Sequence, residues 1–320
     1  MTRAAAGLHV ALPHGAGFPM SSRQRILLTG ASSGFGALTA RALARAGHDV
    51  YAGMRDLAGR GALPGAELTG WAEREGLSVT VVELDVTDDA SVDAAVAAVL
   101  ARAGGIDVLV NNAGVAAAGL VETFSVAAAQ RLFDVNVFGV LRLLRAVLPG
   151  MRARGAGLVV YVSSTDGREV MPFLGLYNAT KFAVEALADA YRYETDPLGI
   201  DSVVVQPGTF PTTRILPNLL PADDPDRAQG YGPVAEGPAQ LLVGIEAMIA
   251  AGAPDPQLVA DAIVGVVATP ARARPTRVVV DASGFDGAAR LNALSDTVQA
   301  ELLARFGLSF LAGRQPARGA

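Results

Sequence analysis

Seven short apolar runs recur along this chain from Arg25 onward, alternating with Ala/Leu-rich stretches at helical spacing. They fall near 25–30, 48–53, 78–84, 106–111, 157–163, 200–206 and 276–281. Two of them, Val159-Val160-Tyr161-Val162 and Val203-Val204-Val205, contain no charged residue. A strand that is apolar on both faces must be covered on both faces, which is the situation of a strand inside a parallel sheet. The intervening patterns predict helices near 35–46, 88–102, 125–152 (broken once) and 175–195. Regular β-α-β alternation leads to an α/β fold: a single doubly wound parallel sheet of about seven strands, with helices on both faces.

At 320 residues, 51 % of them hydrophobic, the chain can bury a substantial core. Residues 23–284 read as one domain. Residues 1–22 are rich in Ala, Gly and His, and Met20 is an alternative start. They lack a solid apolar segment, so they read as a disordered leader and not as a signal peptide, and the expected location is cytoplasmic. The stretch 208–257 carries Pro211, Pro217, Pro221, Pro225 and Pro233, and turns helical only from about Ala235 to Ala251. An insertion of that length inside a compact domain is usually functional or disordered, and this one follows a strand end. We expect a substrate lid at about 209–251; the plainer reading is a solvated loop. Residues 285–320 read as a C-terminal helix and tail. The helical spacing of Leu291, Leu294, Val298, Leu302, Leu303 and Phe306 suits packing on the core or on another subunit.

Several classes of function are excluded. A net charge of −5 with a pI near 5.3 does not suit a nucleic-acid binder that works by neutralising phosphates. With no cysteine and only three histidines (His9, His14, His48), no metal site is expected. No run approaches the roughly 18 apolar residues a membrane span requires.

The first strand ends in Thr29-Gly30-Ala31-Ser32-Ser33-Gly34-Phe35-Gly36 and runs into a helix. Glycines at 30, 34 and 36 permit a tight turn and let backbone approach a pyrophosphate at a helix N-terminus, where N–H groups and the helix dipole favour an anion. The second strand ends in Met54-Arg55-Asp56. An acid at this place bonds ribose hydroxyls, whereas an arginine suits a 2′-phosphate. Arg55, with Ser33 opposite, therefore favours NADP(H), NAD(H) remaining possible; Asp56 could neutralise the arginine. The carboxylate of Asp85, in Leu84-Asp85-Val86, could accept from an adenine amino group, or Asp85 or Thr87 could cap the next helix. Small residues in Asn111-Asn112-Ala113-Gly114 leave room for ribose and nicotinamide. Asn136 is a poor helix former inside an apolar helix, which suggests a specific polar task or a kink.

Tyr177-Asn-Ala-Thr-Lys181 places two side chains four residues apart on one helical face, with Cβ atoms about 5–6 Å apart. A neighbouring ammonium favours the phenolate. Moving a tyrosine from about 10 to near 7 takes roughly 4 kcal/mol, much of which a lysine in a low-dielectric site can supply. Ser164 lies thirteen residues before the tyrosine.

Taken together, TGASSGFG, NNAG, Asn136, Ser164, YNATK and Pro207-Gly208-Thr209 resemble the short-chain dehydrogenase/reductase family over roughly residues 24–284. VYAGMRD and SSTDGREVMPFLGLYNATKFAVEAL are most similar to its 17β-hydroxysteroid- and retinol-dehydrogenase-like branch. The resemblance implies a Rossmann-type NAD(P)-binding domain. It also implies an oxidoreductase that interconverts a ketone and a secondary alcohol. Tyr177 would be the general acid/base, Lys181 would lower its pKa and hold the nicotinamide ribose, and Ser164 would bond the substrate oxygen, Ser163 being the less suitable neighbour. Asn136 would hold a water linking Lys181 to solvent. Cofactor contacts would come from Gly30, Ser32, Ser33, Gly34, Phe35 and Gly36, then Arg55, Asp85 and Val86, then Asn112, Ala113 and Gly114. Pro207, Gly208 and Thr209 would border the nicotinamide, with Thr212 on its carboxamide and Thr213 a rival. A homodimer or homotetramer through the helices near 125–152 and 175–195 is also implied.

Leu216, Leu219, Leu220 and Tyr231 in the lid, with Met171, Phe173 and Leu174, predict an apolar pocket for an apolar carbonyl or alcohol. There is no evident cationic cluster there, Arg168 and Arg214 being the exceptions. Two other functions fit parts of the pattern. A catalytically silent NADP(H)-binding sensor or scaffold would bind cofactor without turnover. A nucleotide-sugar epimerase or dehydratase also uses Y-x-x-x-K but needs a larger C-terminal domain.

Overall fold

The structure, a computed structural model, describes residues 22–311; the predicted leader lies outside them, save its last residue, and so does the end of the tail. Strands β1 (Arg25–Thr29), β2 (Asp49–Met54), β3 (Val79–Glu83), β4 (Val108–Asn111), β5 (Gly157–Val162), β6 (Ile200–Pro207) and β7 (Arg277–Val280) form one sheet. Its order is β3-β2-β1-β4-β5-β6-β7 and every pairing is parallel. All seven strands stand where the apolar runs put them.

Alternation along each strand explains the two cores. Ile26 and Leu28 point to one face with Val110, Val160 and Val205, and are covered by α1 (Gly34–Arg45), α2 (Ala62–Glu75) and α8 (Gln257–Ala268). Leu27 points to the other with Leu109, Tyr161 and Val204. There α3 (Asp89–Ala103), α5 (Gly139–Arg154) and α6 (Gly175–Thr195) supply Val96, Leu144 and Val184.

Two of these helices are absent from the sequence reading. Gly65 and Gly70 weaken the helical pattern of α2, and Pro64 stands in its first turn, yet Leu68 and Trp71 bury firmly against the sheet. In α8, hydrophobic residues run almost without a break, so no polar face marks its period. The expected break in the long helix is real. Between α4 (Val126–Phe133) and α5, residues Asp134–Phe138 form a π-helical turn, a feature found mostly at functional sites.

Strand order reverses between β1 and β4, which opens a crevice at the carboxyl ends of the strands, the usual ligand site of such sheets. The segment expected to be a lid crosses this end. Leu220 bridges to Ala117, the Leu220 N–H donates to the Ala116 carbonyl at 2.8 Å, and Asp224 N–H donates to the Thr123 carbonyl at 3.0 Å. Pro225–Glu236 follow as short 3-10 turns, then α7 (Gly237–Ala250), of which only Gly237 is buried. The terminal helix α9 (Gly287–Arg305) seats Ala288, Asn292 and Leu303 and exposes Leu294, Val298 and Phe306. No helix among the described residues is long and apolar enough to cross a membrane.

Candidate active site

The β1–α1 turn depends on two glycines where no side chain fits. Gly30 has φ +69°, and a Cβ there would lie 2.8 Å from the Ala113 Cα. At Gly36 a Cβ would run into the Gly30 carbonyl and come within 2.6 Å of Asn112 Nδ2. Asn112 locks the turn to β4: its amide donates to the carbonyls of Thr29 and Gly30 at 2.9 and 3.2 Å, while Thr29 Oγ1 accepts from the Asn112 and Ala113 N–H groups. Ser33 stands at the N-cap of α1 without using its hydroxyl as a cap, which leaves that hydroxyl free for a ligand.

A cleft of about 730 Å³ opens from this turn, within the range of small-molecule sites. Gly30, Ser32, Ser33, Gly34, Phe35 and Gly36 line one end, and Arg55, Asp85, Val86, Asn112, Ala113 and Gly114 line the middle. Arg60 joins them, although the sequence reading passed over it. Asp56 adopts φ +58° and turns its carboxylate back, accepting the Arg60 N–H at 3.0 Å and facing the Arg60 guanidinium at 3.5 Å. It pairs with Arg60 and not with Arg55. The Asp85 carboxyl accepts from the Thr87 N–H and hydroxyl at 2.9 and 2.7 Å. Burial works against its charge, but these bonds and the nearby Arg55 and Arg142 hold it below the ordinary carboxylate range. The cap of α3 is Asp88, so Asp85 is not spent on that task.

At the far end stand Ser163, Tyr177 and Lys181. Tyr177 and Lys181 emerge from the first two turns of α6, both buried, with Lys181 Nζ 5.5 Å from the centre of the Tyr177 ring and donating to the Val162 carbonyl at 2.9 Å. Ser164, just past β5, is buried and not among the residues that line the cleft, unlike its neighbour Ser163; its hydroxyl oxygen accepts the Asp166 N–H at 3.1 Å and lies 3.4 Å from the Pro207 carbonyl. Asn136 sits in the π-turn and is fully employed. Oδ1 accepts the Val115 N–H at 2.9 Å, and Nδ2 donates to the Val115 carbonyl at 2.8 Å and to Thr180 Oγ1 at 3.0 Å. A Cβ on Gly114 would meet Asn136 Oδ1 at 3.4 Å and Lys181 Nζ at 3.9 Å, so glycine keeps the space before the lysine open.

The electrostatics differ from expectation. Burial raises the Tyr177 phenol above its ordinary value, and the charge of Asp166 raises it further against the Ser164 hydrogen bond. The expected depression by Lys181 does not offset this; the lysine is itself desolvated, and burial pushes it down to about 8, against the pull of Glu185 and Asp166. Asp166 was not foreseen. Burial and Glu169 push its carboxyl up to about 6, while Lys181 and Ser164 favour its ionised form.

Other residues fall elsewhere than expected. Pro207 closes β6 and its carbonyl faces Ser164 Oγ at 3.4 Å, but Pro207, Gly208, Thr209 and Thr212 do not line the cleft; Thr213, Arg214 and Ile215 do. The Thr213 side chain packs 3.6 Å from where a Gly34 Cβ would stand. Pro207 continues the ladder with β7 and Thr212 faces solvent, so the chain enters the cleft one residue later. Leu219 and Leu220 reach it with Ile215, Val115 and Ala116. Tyr231 instead donates to Glu122 at 2.8 Å, and Arg168 is committed to Glu185 and Asp189. Among the described residues no acidic or histidine cluster could hold a metal ion.

The glycine cradle, the unspent Ser33 hydroxyl and the arginine at the end of β2 fit a dinucleotide. Residues 24–222 match the short chain dehydrogenase family. The chain is 38 % identical over 189 residues to a 3-ketodihydrosphingosine reductase of Bacteroides thetaiotaomicron, covering 59 % of this chain and 65 % of that protein, just under two thirds of its length. It is 34 % identical over 254 residues to human retinol dehydrogenase 8, covering 76 % and 78 %. An alcohol dehydrogenase of Thermococcus sibiricus, solved with 5-hydroxy-NADP, superposes with a TM-score of 0.65 at 26 % identity over 82 % of this chain and 98 % of that one.

Proposed function

This chain belongs to the short-chain dehydrogenase family, in the branch that holds retinol and 17β-hydroxysteroid dehydrogenases; from that premise we propose that it is an NADP(H)-dependent oxidoreductase interconverting a ketone and a secondary alcohol on an apolar small molecule. The observation that supports this reading is that Tyr177 and Lys181 stand together at the end of a glycine-cradled cleft, beside the Ser163–Ser164 pair that follows β5.

Gly30, Ser33, Gly34 and Gly36 would hold the pyrophosphate, and Arg55 the 2′-phosphate, with NAD(H) as the weaker ligand. Asp85 and Val86 would flank the adenine, and Lys181 would hold the nicotinamide ribose. The nicotinamide supplies or accepts the hydride. The chain's own residues manage charge and protons. As negative charge grows on the carbonyl oxygen, the Tyr177 and Ser164 hydroxyls stabilise it, and Tyr177 then donates its proton. A phenol raised by burial stays protonated at neutral pH, the state in which it can donate to a carbonyl being reduced. A water held beside Gly114, between Lys181 and Asn136, would pass a replacement proton to the lysine. Ile215, Leu219, Leu220 and Val115 support an apolar substrate.

The outward apolar side chains Phe138 and Phe182 support a homo-oligomer formed through α5 and α6, checked by light scattering; a cytoplasmic location is checked by fractionation. The test of function is NADPH oxidation with a ketone panel, comparing Tyr177→Phe, which should lose at least about 100-fold in kcat. Full turnover in that variant refutes the mechanism, and tight NADPH binding without turnover of any ketone by wild type would establish the sensor alternative.

A further inference from the structure

Two carboxylates, Asp56 and Glu83, flank the end of the cleft where Arg55 and Arg60 stand, and they would oppose a bound anion unless both are otherwise engaged. Neither acid lines the cleft, whereas both arginines do. Glu83, the last residue of β3, gives its two oxygens to backbone: one accepts the Asp56 N–H and the other the Leu57 N–H, both at 2.7 Å. Asp56 accepts the Arg60 N–H with Oδ2 at 3.0 Å, and the same oxygen faces Arg60 Nε at 3.5 Å.

These bonds wind residues 55–61 into a closed loop. The Asp56 carbonyl accepts the Gly59 and Gly61 N–H groups at 2.9 and 2.8 Å, and Asp56 itself is held at φ +58°, a strained conformation for any residue with a Cβ. The loop has no room inside: a Cβ on Gly59 would lie 2.6 Å from Asp56 Oδ1, and one on Gly61 would lie 2.5 Å from the Arg55 carbonyl oxygen. Leu57 pins it to the core beneath α2. A loop tied this closely fixes where both arginine side chains begin. Among the described residues Arg55 makes no ion pair. Asp56 meets the Arg60 guanidinium from the Nε side, which leaves the two terminal nitrogens available to an anion.

We propose that Arg60 is a second specificity-determining residue for the 2′-phosphate of NADP(H), acting with Arg55, and that Asp56 and Glu83 are positioning residues that hold the two arginines at this end of the cleft. The inference rests on the NADP(H) reading above and deepens it. An acid after β2 serves NAD(H) by bonding ribose hydroxyls. Asp56 is turned back into its own loop, so the residue that might have favoured NAD(H) instead supports the cation that favours a phosphate.

The test is the dissociation constants of NADPH, NADH and 2′,5′-ADP, measured on the full chain by titration calorimetry. The last ligand carries the phosphate without a nicotinamide, so its binding is independent of turnover. Arg60→Ala should weaken NADPH and 2′,5′-ADP by roughly tenfold, the low end for a charge-assisted bond because the site is exposed, and leave NADH within about twofold. Changing Arg55 and Arg60 to alanine together should bring NADPH down to the level of NADH. Glu83→Ala separates two accounts of opposite sign. An acid that acts only through its charge would, when removed, let NADPH bind more tightly. An acid that holds the loop would, when removed, weaken NADPH by roughly three- to tenfold and leave NADH unchanged. Asp56→Ala should behave as Glu83→Ala does. Asp56→Asn tolerates the same φ and still accepts the Arg60 N–H, so it should recover most of the preference.

Unchanged NADPH affinity in Arg60→Ala overturns the inference. So does tighter or unchanged NADPH in Glu83→Ala, or an equal loss of both nucleotides there. In each case the NADP(H) reading stands if Arg55→Ala alone still lowers the preference. A wild type that binds NADH as tightly as NADPH defeats that reading, and this inference with it.

Discussion

Asn136→Ala is the change whose cost can be worked out most directly. Its carboxamide makes three hydrogen bonds and is almost wholly buried. Thr180 loses little, because its hydroxyl still donates to the Tyr177 carbonyl at 2.7 Å. The real loss falls on Val115, whose N–H and carbonyl are both left without their partner. An orphaned buried polar group costs about 1–3 kcal/mol. Val115 is only half-buried, so the lower part of that range applies, about 2–3 kcal/mol for the pair together. For a chain of this size that corresponds to a fall in Tm of roughly 3–5 °C. Asn136→Asp separates hydrogen bonding from packing, since it can still accept from Val115 N–H but, when ionised, faces the Val115 carbonyl without a donor. It should be no more stable than the alanine variant. Because Val115 and Gly114 border the cleft, both variants should also bind cofactor more weakly. The assay is urea unfolding followed by circular dichroism, with NADPH titration alongside. A stability change below about 0.5 kcal/mol in Asn136→Ala would refute the claim that this amide holds the 113–116 loop in place.

Arg55→Ala should weaken NADPH by about 10–100-fold, the value of one or two charge-assisted hydrogen bonds at an exposed position, and leave NADH within about threefold; comparing the two dissociation constants decides it, and an unchanged preference rejects the 2′-phosphate role. Gly36→Ala should abolish measurable binding of both nucleotides while the strands still form, because the added carbon meets the Gly30 carbonyl, which is backbone and cannot step aside. Intact NADPH fluorescence enhancement in that variant would contradict the cradle.

What the sequence revealed depended on how local the information was. The seven strands announce themselves by composition over five or six residues, and the Tyr177–Lys181 pair by a spacing within one helical turn. Asn136 was legible as a misfit, and the π-turn shows why an amide stands among apolar residues: it ties α4–α5 to the loop beside the lysine. Helix α8 escaped notice because burial on nearly all sides erases the polar face that marks a helix.

The charge state of the site is less legible still. A sequence shows that an ammonium can lie beside a phenol, and from that alone the tyrosine should be acidified. It does not show that both groups lose water, nor that two carboxylates, Asp166 and Glu185, converge on them from a turn and from the next turn of α6. Desolvation moves tyrosine and lysine in opposite directions, raising the phenol and lowering the ammonium, each toward its neutral form. The pair at neutral pH is therefore a protonated phenol beside an ammonium brought down to about 8. The residue whose charge acts on both groups is Asp166. It entered the sequence reading only as an unremarked letter between Ser164 and Gly167, because its effect follows from where the turn presses it and not from any spacing.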